Sequence, residues 1–252
     1  MNLPRFPISF DDGQVALAVR PAPGADLAGA LRGMGLTTGV PTIVLVGAGA
    51  GTALLERLGA LIEKVLIPVM VETGAVGVDE GHRGGVGARL GAACRRQSVQ
   101  FPLIGVAPEH RAASGDGLDS NHSHFVVVPV DRPDWAATWT SSVASALAGG
   151  NGSVALVTAG GEPAWDSVAE HTRAGRTVIV VARTGGVADH LAAAIKGDAA
   201  DPRAGALVTS GRLCLLDPAN GAAHVAEGLK AALAGRQNGA APRALRPGVP
   251  SG

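Results

Sequence analysis

An arginine and a histidine set inside a run of glycines, Gly81-His-Arg-Gly-Gly85, are the residues of this chain best suited to meet a phosphate. Glycine lets backbone N–H groups close on a ligand, and a following helix start favours an anion. Arg83 would add charge-assisted donors. Asp79 and Glu80 precede the turn and oppose a purely anionic ligand. They suit ribose hydroxyls instead, as acids in nucleotide sites do. Two further pairs, Gly160–Gly161 and Gly185–Gly186, each follow an apolar run and open a helical segment. Asp166 and Asp189 fall in the first turns of those segments, where helix-dipole complementarity alone accounts for an acid.

His122 and His124 alternate in Leu-Asp-Ser-Asn-His-Ser-His-Phe, so both imidazoles can face one way, as metal ligands do. No third Cys, His or carboxylate joins them at a recognised spacing. Hydrogen bonding of a loop by Asn121 and the two histidines is therefore the reading preferred over a metal. The run Gly47-Ala-Gly-Ala-Gly51 falls short of G-x-G-x-x-G, because Thr52 stands where the last glycine belongs. It still reads as a strand–turn–helix loop lining a site, through Gly47 and Gly49. G-x-x-x-x-G-K-[ST] and G-x-S-x-G are both absent from the sequence.

The elements that must position these residues alternate along the chain. Thr42–Val46, Ala75–Val78, Leu103–Ala107, His124–Val128, Val154–Val157, Thr177–Val181 and Leu213–Leu216 read as short, mostly buried strands. Gln14–Arg20 alternates as an edge strand would. Helical spacing covers Ala25–Met34, Ala53–Leu66, Val86 to about Arg96, Trp135–Leu147, Ala164–Ala174, Val187–Lys196 and Ala222–Ala234. Pro108–Asn121 and Gly197–Gly211 read as loops, the first long enough for a lid or disorder. This predicts a single α/β domain, Rossmann-like and doubly wound, with a mainly parallel sheet of at least six strands. Residues 1–40 add an edge strand and a short helix, 41–234 form the main domain, and 235–252 have the composition of a disordered tail.

Composition narrows the partners. With 21 Lys plus Arg against 21 Asp plus Glu in 252 residues, no net field recommends nucleic acid or an anionic membrane. Glu56, Arg57, Glu63 and Lys64 interrupt the most apolar window, so no membrane span is expected. Two cysteines, Cys94 and Cys214, are too few for a disulfide framework. No secretory signal is visible, and a cytoplasmic protein is expected.

Taken in order, several strings resemble the nucleotide-sensor family called SLOG, after the DprA and LOG proteins. They are Asp79-Glu-Gly-His-Arg-Gly-Gly-Val-Gly-Ala-Arg-Leu-Gly-Ala-Ala93, Gly105-Val-Ala-Pro108 and Leu118-Asp-Ser-Asn-His-Ser-His-Phe125. Val154-Ala-Leu-Val-Thr-Ala-Gly-Gly161 and Gly185-Gly-Val-Ala-Asp189 complete the set. The likeness is nearest to the branch found in TRPM cation channels and in bacterial stand-alone proteins, and it runs from about Pro41 to Leu191. It implies a modified Rossmann-like sheet and a pocket for NAD, ADP-ribose or cyclic ADP-ribose. By motif it places ligand contacts at Gly81, Arg83, Gly85, Gly160, Gly161 and Asp189. Two departures matter. Glu80 stands where the channel branch usually has glycine. Ser167 stands where the enzymatic LOG branch has its catalytic glutamate, and a hydroxyl cannot stabilise an oxocarbenium-like charge as a carboxylate does.

The resulting expectation is a non-enzymatic sensor of a NAD-derived nucleotide, with no tightly bound cofactor and no metal. Its expected ligand contacts are Gly47, Gly49, Gly81, His82, Arg83, Gly84, Gly85, Asn121, His122, Gly160, Gly161, Glu162, Gly185, Gly186 and Asp189. An effector protein and a homo-oligomer are the expected partners. The alternatives are a nucleotide N-glycosidase using Asp166 or Glu80, and an interaction domain that has lost its ligand.

Overall fold

The computed structural model describes residues 4–22, 24–47, 58–114, 117–130, 134–198 and 200–235. In chain order come β1 (Arg5–Ser9), β2 (Val15–Val19), α1 (Leu27–Gly33) and β3 (Thr42–Val46). A π-turn at Ile62–Leu66 leads into α2 (Ile67–Thr73), followed by β4 (Val76–Asp79), α3 (Val86–Gln97), β5 (Leu103–Pro108) and α4 (Glu109–Ser114). Then follow β6 (His124–Val128), α5 (Trp135–Ala148), β7 (Ser153–Val157), α6 (Pro163–Arg173) and β8 (Thr177–Val181). The described chain closes with α7 (Gly186–Ile195), α8 (Pro202–Val208), β9 (Leu213–Leu216) and α9 (Ala222–Ala234).

One sheet of nine strands results, in the order β1-β2-β6-β5-β4-β3-β7-β8-β9. Strands β2 to β9 pair in parallel, and only β1 runs antiparallel, against β2. From β3 the chain first winds outward through β4, β5 and β6, then crosses back to β7 and winds the other way. The order therefore reverses between β3 and β7, and the carboxyl ends of those two strands mark the switch point. Both strands are buried throughout. Their alternate side chains explain this: Val44, Val46, Ala155 and Val157 enter one core, with α5, α6 and α7. Ile43, Leu45, Val154 and Leu156 enter the other, with α2, α3 and α9.

The fold class expected from the sequence is the one observed, its expected minimum of six parallel strands met by eight among the described residues. Four local differences have physical reasons. β1 escapes sequence reading because Pro7 interrupts it, and an edge strand tolerates a residue that cannot donate. The helix read as ending at Leu66 continues to Thr73, because the π-turn precedes Pro68 and accommodates its missing N–H. The Gly197–Gly211 loop contains α8, opened by the Asp201 side chain accepting from Arg203 N. Pro108–Asn121, read as a loop, holds α4 and then buried Leu118 and Asp119. Helix positions 53–57, Gly49 and the 236–252 tail lie outside the described residues. Among the described residues no helix is long and apolar enough to cross a membrane.

Arg176, just before β8, is 0% exposed. Its guanidinium fills all five donor positions without an acidic partner. Nε donates to Ser153 Oγ at 2.7 Å, and Nη1 to Ser141 Oγ at 3.0 Å and His171 Nδ1 at 2.7 Å. Nη2 donates to the Ser141 carbonyl at 3.1 Å and Ser145 Oγ at 2.7 Å. Burial lowers the Arg176 pKa to about 10. One side chain thus pins α5, α6 and the starts of β7 and β8 together. Removing it leaves several buried acceptors unpaired at about 1–3 kcal/mol each. We expect Arg176→Ala to destabilise the protein by more than about 3 kcal/mol in urea unfolding, with Arg176→Lys intermediate. A loss below about 1 kcal/mol would show that the network pins nothing.

Candidate functional site

The switch point carries a cleft of about 140 Å³ lined by Gly47, Asp79, Glu80, His82, Gly85, Gly160, Gly161, Pro163 and Ser167, among others. It collects the ends of β3, β4 and β7 and the starts of α3 and α6. Beside it lies a second cleft of about 500 Å³, lined by Glu80, His82, Arg83, Gly84, Pro108, His110, Arg111, Gly117, Val130 and Trp135. Glu80 and His82 line both, so the two clefts adjoin. A larger groove of about 690 Å³ sits at the opposite pole, where Pro102, Leu103, Ser123 and His124 begin β5 and β6. Ligands of open α/β sheets bind at the carboxyl ends, so the adjoining pair is the candidate site.

The turn after β4 is built around an internal carboxylate. Asp79 Oδ1 accepts from Gly81 N at 2.7 Å, and a Cβ on Gly87 would lie 1.9 Å from Asp79 Oδ2. Asp79 Oδ1 also meets His122 Nε2 at 2.8 Å, and His122 Nδ1 meets Asp119 Oδ2 at 2.9 Å. Burial alone would lower the His122 pKa, but the charges and hydrogen bonds of Asp79 and Asp119 outweigh it and push it up to about 9. Burial would raise Asp79, and the imidazolium more than offsets this, so its carboxyl lies below the usual range. The Leu118–Phe125 string is therefore a strap. Asp119 N donates to Gly81 O at 2.9 Å and Arg83 N to Gly117 O at 3.1 Å. Phe125 packs so closely that a Cβ on Gly81 would meet its ring at 2.5 Å, and Gly81 itself has φ +67°.

The two similar glycine pairs after β7 and β8 do different work. Ala159 and Gly160 both hold positive φ, +50° and +90°. Their carbonyls accept from Ala188 N at 2.9 Å and Val187 N at 3.0 Å, the first amides of α7. These bonds tie the first turn of α7 to the Gly160 turn, and Gly186 lies so close behind that a Cβ would come within 2.2 Å of Gly160 O. Asp189 turns to its own loop, accepting from Thr184 N at 3.1 Å. The start of α6 differs. Neither helix has a side-chain cap; the Ala164 and Trp165 amides close on the Gly161 and Glu162 carbonyls, and the N–H groups of Gly161, which lines the cleft, and Glu162 find no acceptor among the described residues. Thr158 Oγ1, at the end of β7, is also buried without a partner, an uncommon state for a hydroxyl.

The structure thus brings Gly47, Gly85, Gly160, Gly161 and His82 to the first cleft, and His82, Arg83 and Gly84 to the second. It sets several expected contacts elsewhere. His122 is 2% exposed with both ring nitrogens bonded to carboxylates, and Asn121 donates to Asp119 and lines the opposite-pole groove. Gly81 is packed under Phe125, while Gly185, Gly186 and Asp189 stand behind the Gly160 turn. Glu162 pairs with Arg203, which lies 4.4 Å over the Trp165 ring. Of the two alternative acids, Asp166 is exposed on α6 outside the clefts, whereas Glu80 lines both. Burial, with the charge of Asp79 adding, raises the Glu80 pKa, although His82 and Arg111 pull against it. Among the described residues no three His, Cys, Asp or Glu side chains gather as a metal site would require. Sequence reasoning passed over Trp135 and Arg111. The signal for Trp135 was its rarity, one of only three tryptophans, at a helix start beyond a strand end.

An open parallel sheet with a glycine-lined cleft at its switch point defines a Rossmann-like α/β protein. Residues 40–227 match the family described as SLOG in TRPM, prokaryote, and the chain belongs to that family. No match is found among curated proteins. Among solved structures, the X-ray structure of TM1055, a structural genomics target, is similar at 17% identity and a TM-score of 0.47. That likeness covers 70% of this chain and 90% of the other.

The charged clamp has a directional pH signature. His122 has a folded pKa above its ordinary 6.5, so its contribution is complete below about pH 6.5 and is lost as pH rises through about 9. Asp79 lies below its ordinary value, so its share is lost instead in acid, as pH falls below about 4. Urea unfolding should therefore show a loss on the order of 3 kcal/mol between pH 6 and 9.5 that His122→Gln abolishes. Equal slopes in the two proteins would mean that His122 is not held as an imidazolium.

Proposed function

We propose that this protein is a sensor of a NAD-derived nucleotide, such as ADP-ribose or NAD, bound across the switch-point cleft. The observation that carries this is the uncapped start of α6 at Gly161–Glu162, open toward a glycine-lined cleft. A phosphate there meets free N–H groups and the positive end of the helix dipole. The first amide of α3 donates to Gly47 O and the Val187 and Ala188 amides of α7 to the Gly160 turn, while the Gly161 and Glu162 N–H groups have no acceptor among the described residues, so α6 offers the anion position. Glu80 and His82, opposite it, offer an acceptor and a donor or acceptor to ribose hydroxyls. Membership of a family whose description names the SLOG domain supports the reading. The output of such a sensor is a change of self-assembly or of contact with an effector protein, both readable by light scattering with and without ligand.

A second reading is favoured by one observation. Glu80 is a partly buried carboxyl with a raised pKa inside the clefts, the condition of a general acid in N-glycosidic cleavage. Against it, Ser167 lines the cleft where the enzymatic branch has its glutamate, and its hydroxyl is turned to the Pro163 carbonyl at 3.4 Å. Incubation with ADP-ribose, NAD or AMP followed by chromatography separates the two. A sensor returns the nucleotide intact, with stabilisation of roughly 2.7 kcal/mol at a hundredfold excess over Kd. Release of adenine or nicotinamide that Glu80→Gln abolishes would favour the enzyme.

The anion position has a clean test, because a Cβ on Gly161 would meet only Pro163 Cδ, at 3.9 Å. Gly161→Asp should fold with unchanged or slightly raised Tm, since an acid at a helix start stabilises by about 0.3–1 kcal/mol. It should lose nucleotide affinity by at least about tenfold in calorimetry, its carboxylate occupying the phosphate position. Undiminished affinity in the folded variant would remove the phosphate from α6.

A further inference from the structure

An acid stands directly before α6, and yet it does not cap that helix. Glu162 occupies the N-cap position, where α3 and α7 have Gly85 and Gly185, and its side chain makes no hydrogen bond to the helix start. A carboxylate is drawn to the positive end of a helix dipole and to unsatisfied N–H groups. A glutamate side chain is long enough to turn back onto its own N–H and the one before it. Here the carboxylate goes elsewhere: Arg203 Nη1 donates to Glu162 Oε1. Asp201 holds another edge of the same guanidinium, with Nε donating to Oδ1 at 3.2 Å and Nη2 to Oδ2 at 3.0 Å. The guanidinium carbon lies 4.4 Å from the centre of the Trp165 ring, and Trp165 is 6% exposed and part of the main core. Asp201 is fixed in turn, because its side chain accepts from Arg203 N at 2.8 Å and opens α8. Arg203 lines neither cleft.

We propose that Arg203 is a positioning residue of the ligand site: it draws the Glu162 carboxylate away from the start of α6 and so keeps the anion position open. This rests on the reading of the Gly161 and Glu162 N–H groups as the phosphate position. It goes further in giving control of affinity to a residue on α8 that touches no ligand. An isolated surface ion pair holds a flexible side chain weakly. This cation differs, because a bidentate carboxylate and an aromatic face have already immobilised it, and it loses little freedom on pairing with Glu162. Released from Arg203, Glu162 becomes a competing anion tethered beside the phosphate position and present at every ligand concentration.

Calorimetry of the full chain with ADP-ribose, on Arg203→Gln, Glu162→Gln and the double variant, tests this. Arg203→Gln should lower affinity by about threefold to tenfold, the range of a charge placed at a helix start. Arg203→Lys, which keeps the cation and loses the fork, should fall between it and the wild type. Glu162→Gln alone should bind at least as tightly as the wild type. The double variant should match Glu162→Gln, because without the carboxylate nothing remains to be diverted. An arginine that met the phosphate itself, or one needed only for packing over Trp165, would leave the double variant as weak as Arg203→Gln. That result would overturn the proposal, and so would full affinity in Arg203→Gln; either leaves the phosphate position at α6 standing. A wild type that bound neither ADP-ribose nor AMP would overturn the nucleotide reading and this proposal with it.

Discussion

The contact on which the rest of the site depends is the buried run Asp79–His122–Asp119. A charged group taken out of water costs several kcal/mol unless its hydrogen-bonding capacity is met, and here each nitrogen of an imidazolium faces a carboxylate. The run crosses between distant parts of the chain, the end of β4 and the segment entering β6. It holds the strap against the sheet, and the strap brings Leu118 and Phe125 into a small core with Ile8, Ala16 and Ala18. The same Asp79 shapes the turn that carries Glu80, His82 and Arg83. Loosening the clamp at His122 or Asp119 would disturb the walls of both clefts from outside them.

A second organising fact concerns which amides remain available. Three helices begin at this end of the sheet with glycine before them, and by sequence they look interchangeable. In the fold, the first amide of α3 donates to Gly47 O and an aspartate fills its mouth. The first amides of α7 donate to the Ala159 and Gly160 carbonyls. None of the three has a side-chain cap; before α6 the Gly161 and Glu162 N–H groups have no acceptor among the described residues, and Gly161 lines the cleft. The two positive-φ residues before it turn their carbonyls toward α7, a local strain that the surrounding packing maintains. Helix dipoles alone would have predicted three equal anion sites; the α7 start does not line the cleft and α3 gives its first amide to Gly47 O, which leaves α6.

Much of this was legible beforehand, for reasons that differ between elements. β3, β6, β8 and β9 read correctly to the residue, because β-branched and apolar runs bounded by small residues leave little choice of element. The Gly160–Gly161 turn and its cleft followed from its place after a central strand. His122 did not, because whether a histidine holds a ligand or a loop depends on carboxylates that only the strap brings near. Gly185–Gly186 was hard to place for a related reason: Gly186 admits the Gly160 carbonyl, a close approach that only packing decides. Trp135 was visible as the start of a helix, but the cleft beside it is made by Pro108, Val130 and Arg111 from other elements.

The position of β2 has a consequence for synthesis. It lies between β1 and β6, and Ala18 pairs with Phe125, roughly a hundred residues later in the chain. The amino-terminal hairpin therefore leaves the ribosome well before the strand that completes it. At about 5–20 residues per second, Ile8, Ala16, Ala18 and Val19 wait on the order of 5–20 s for their cover. Meanwhile β3, β4 and β5 emerge consecutively and can pair as they appear. Growth of the sheet thus starts in its middle, and β1 and β2 are enclosed only after strands that follow them in the chain. A nascent chain of this kind presents an unpaired strand edge for much of its translation, which is the state that chaperones recognise and that aggregation exploits.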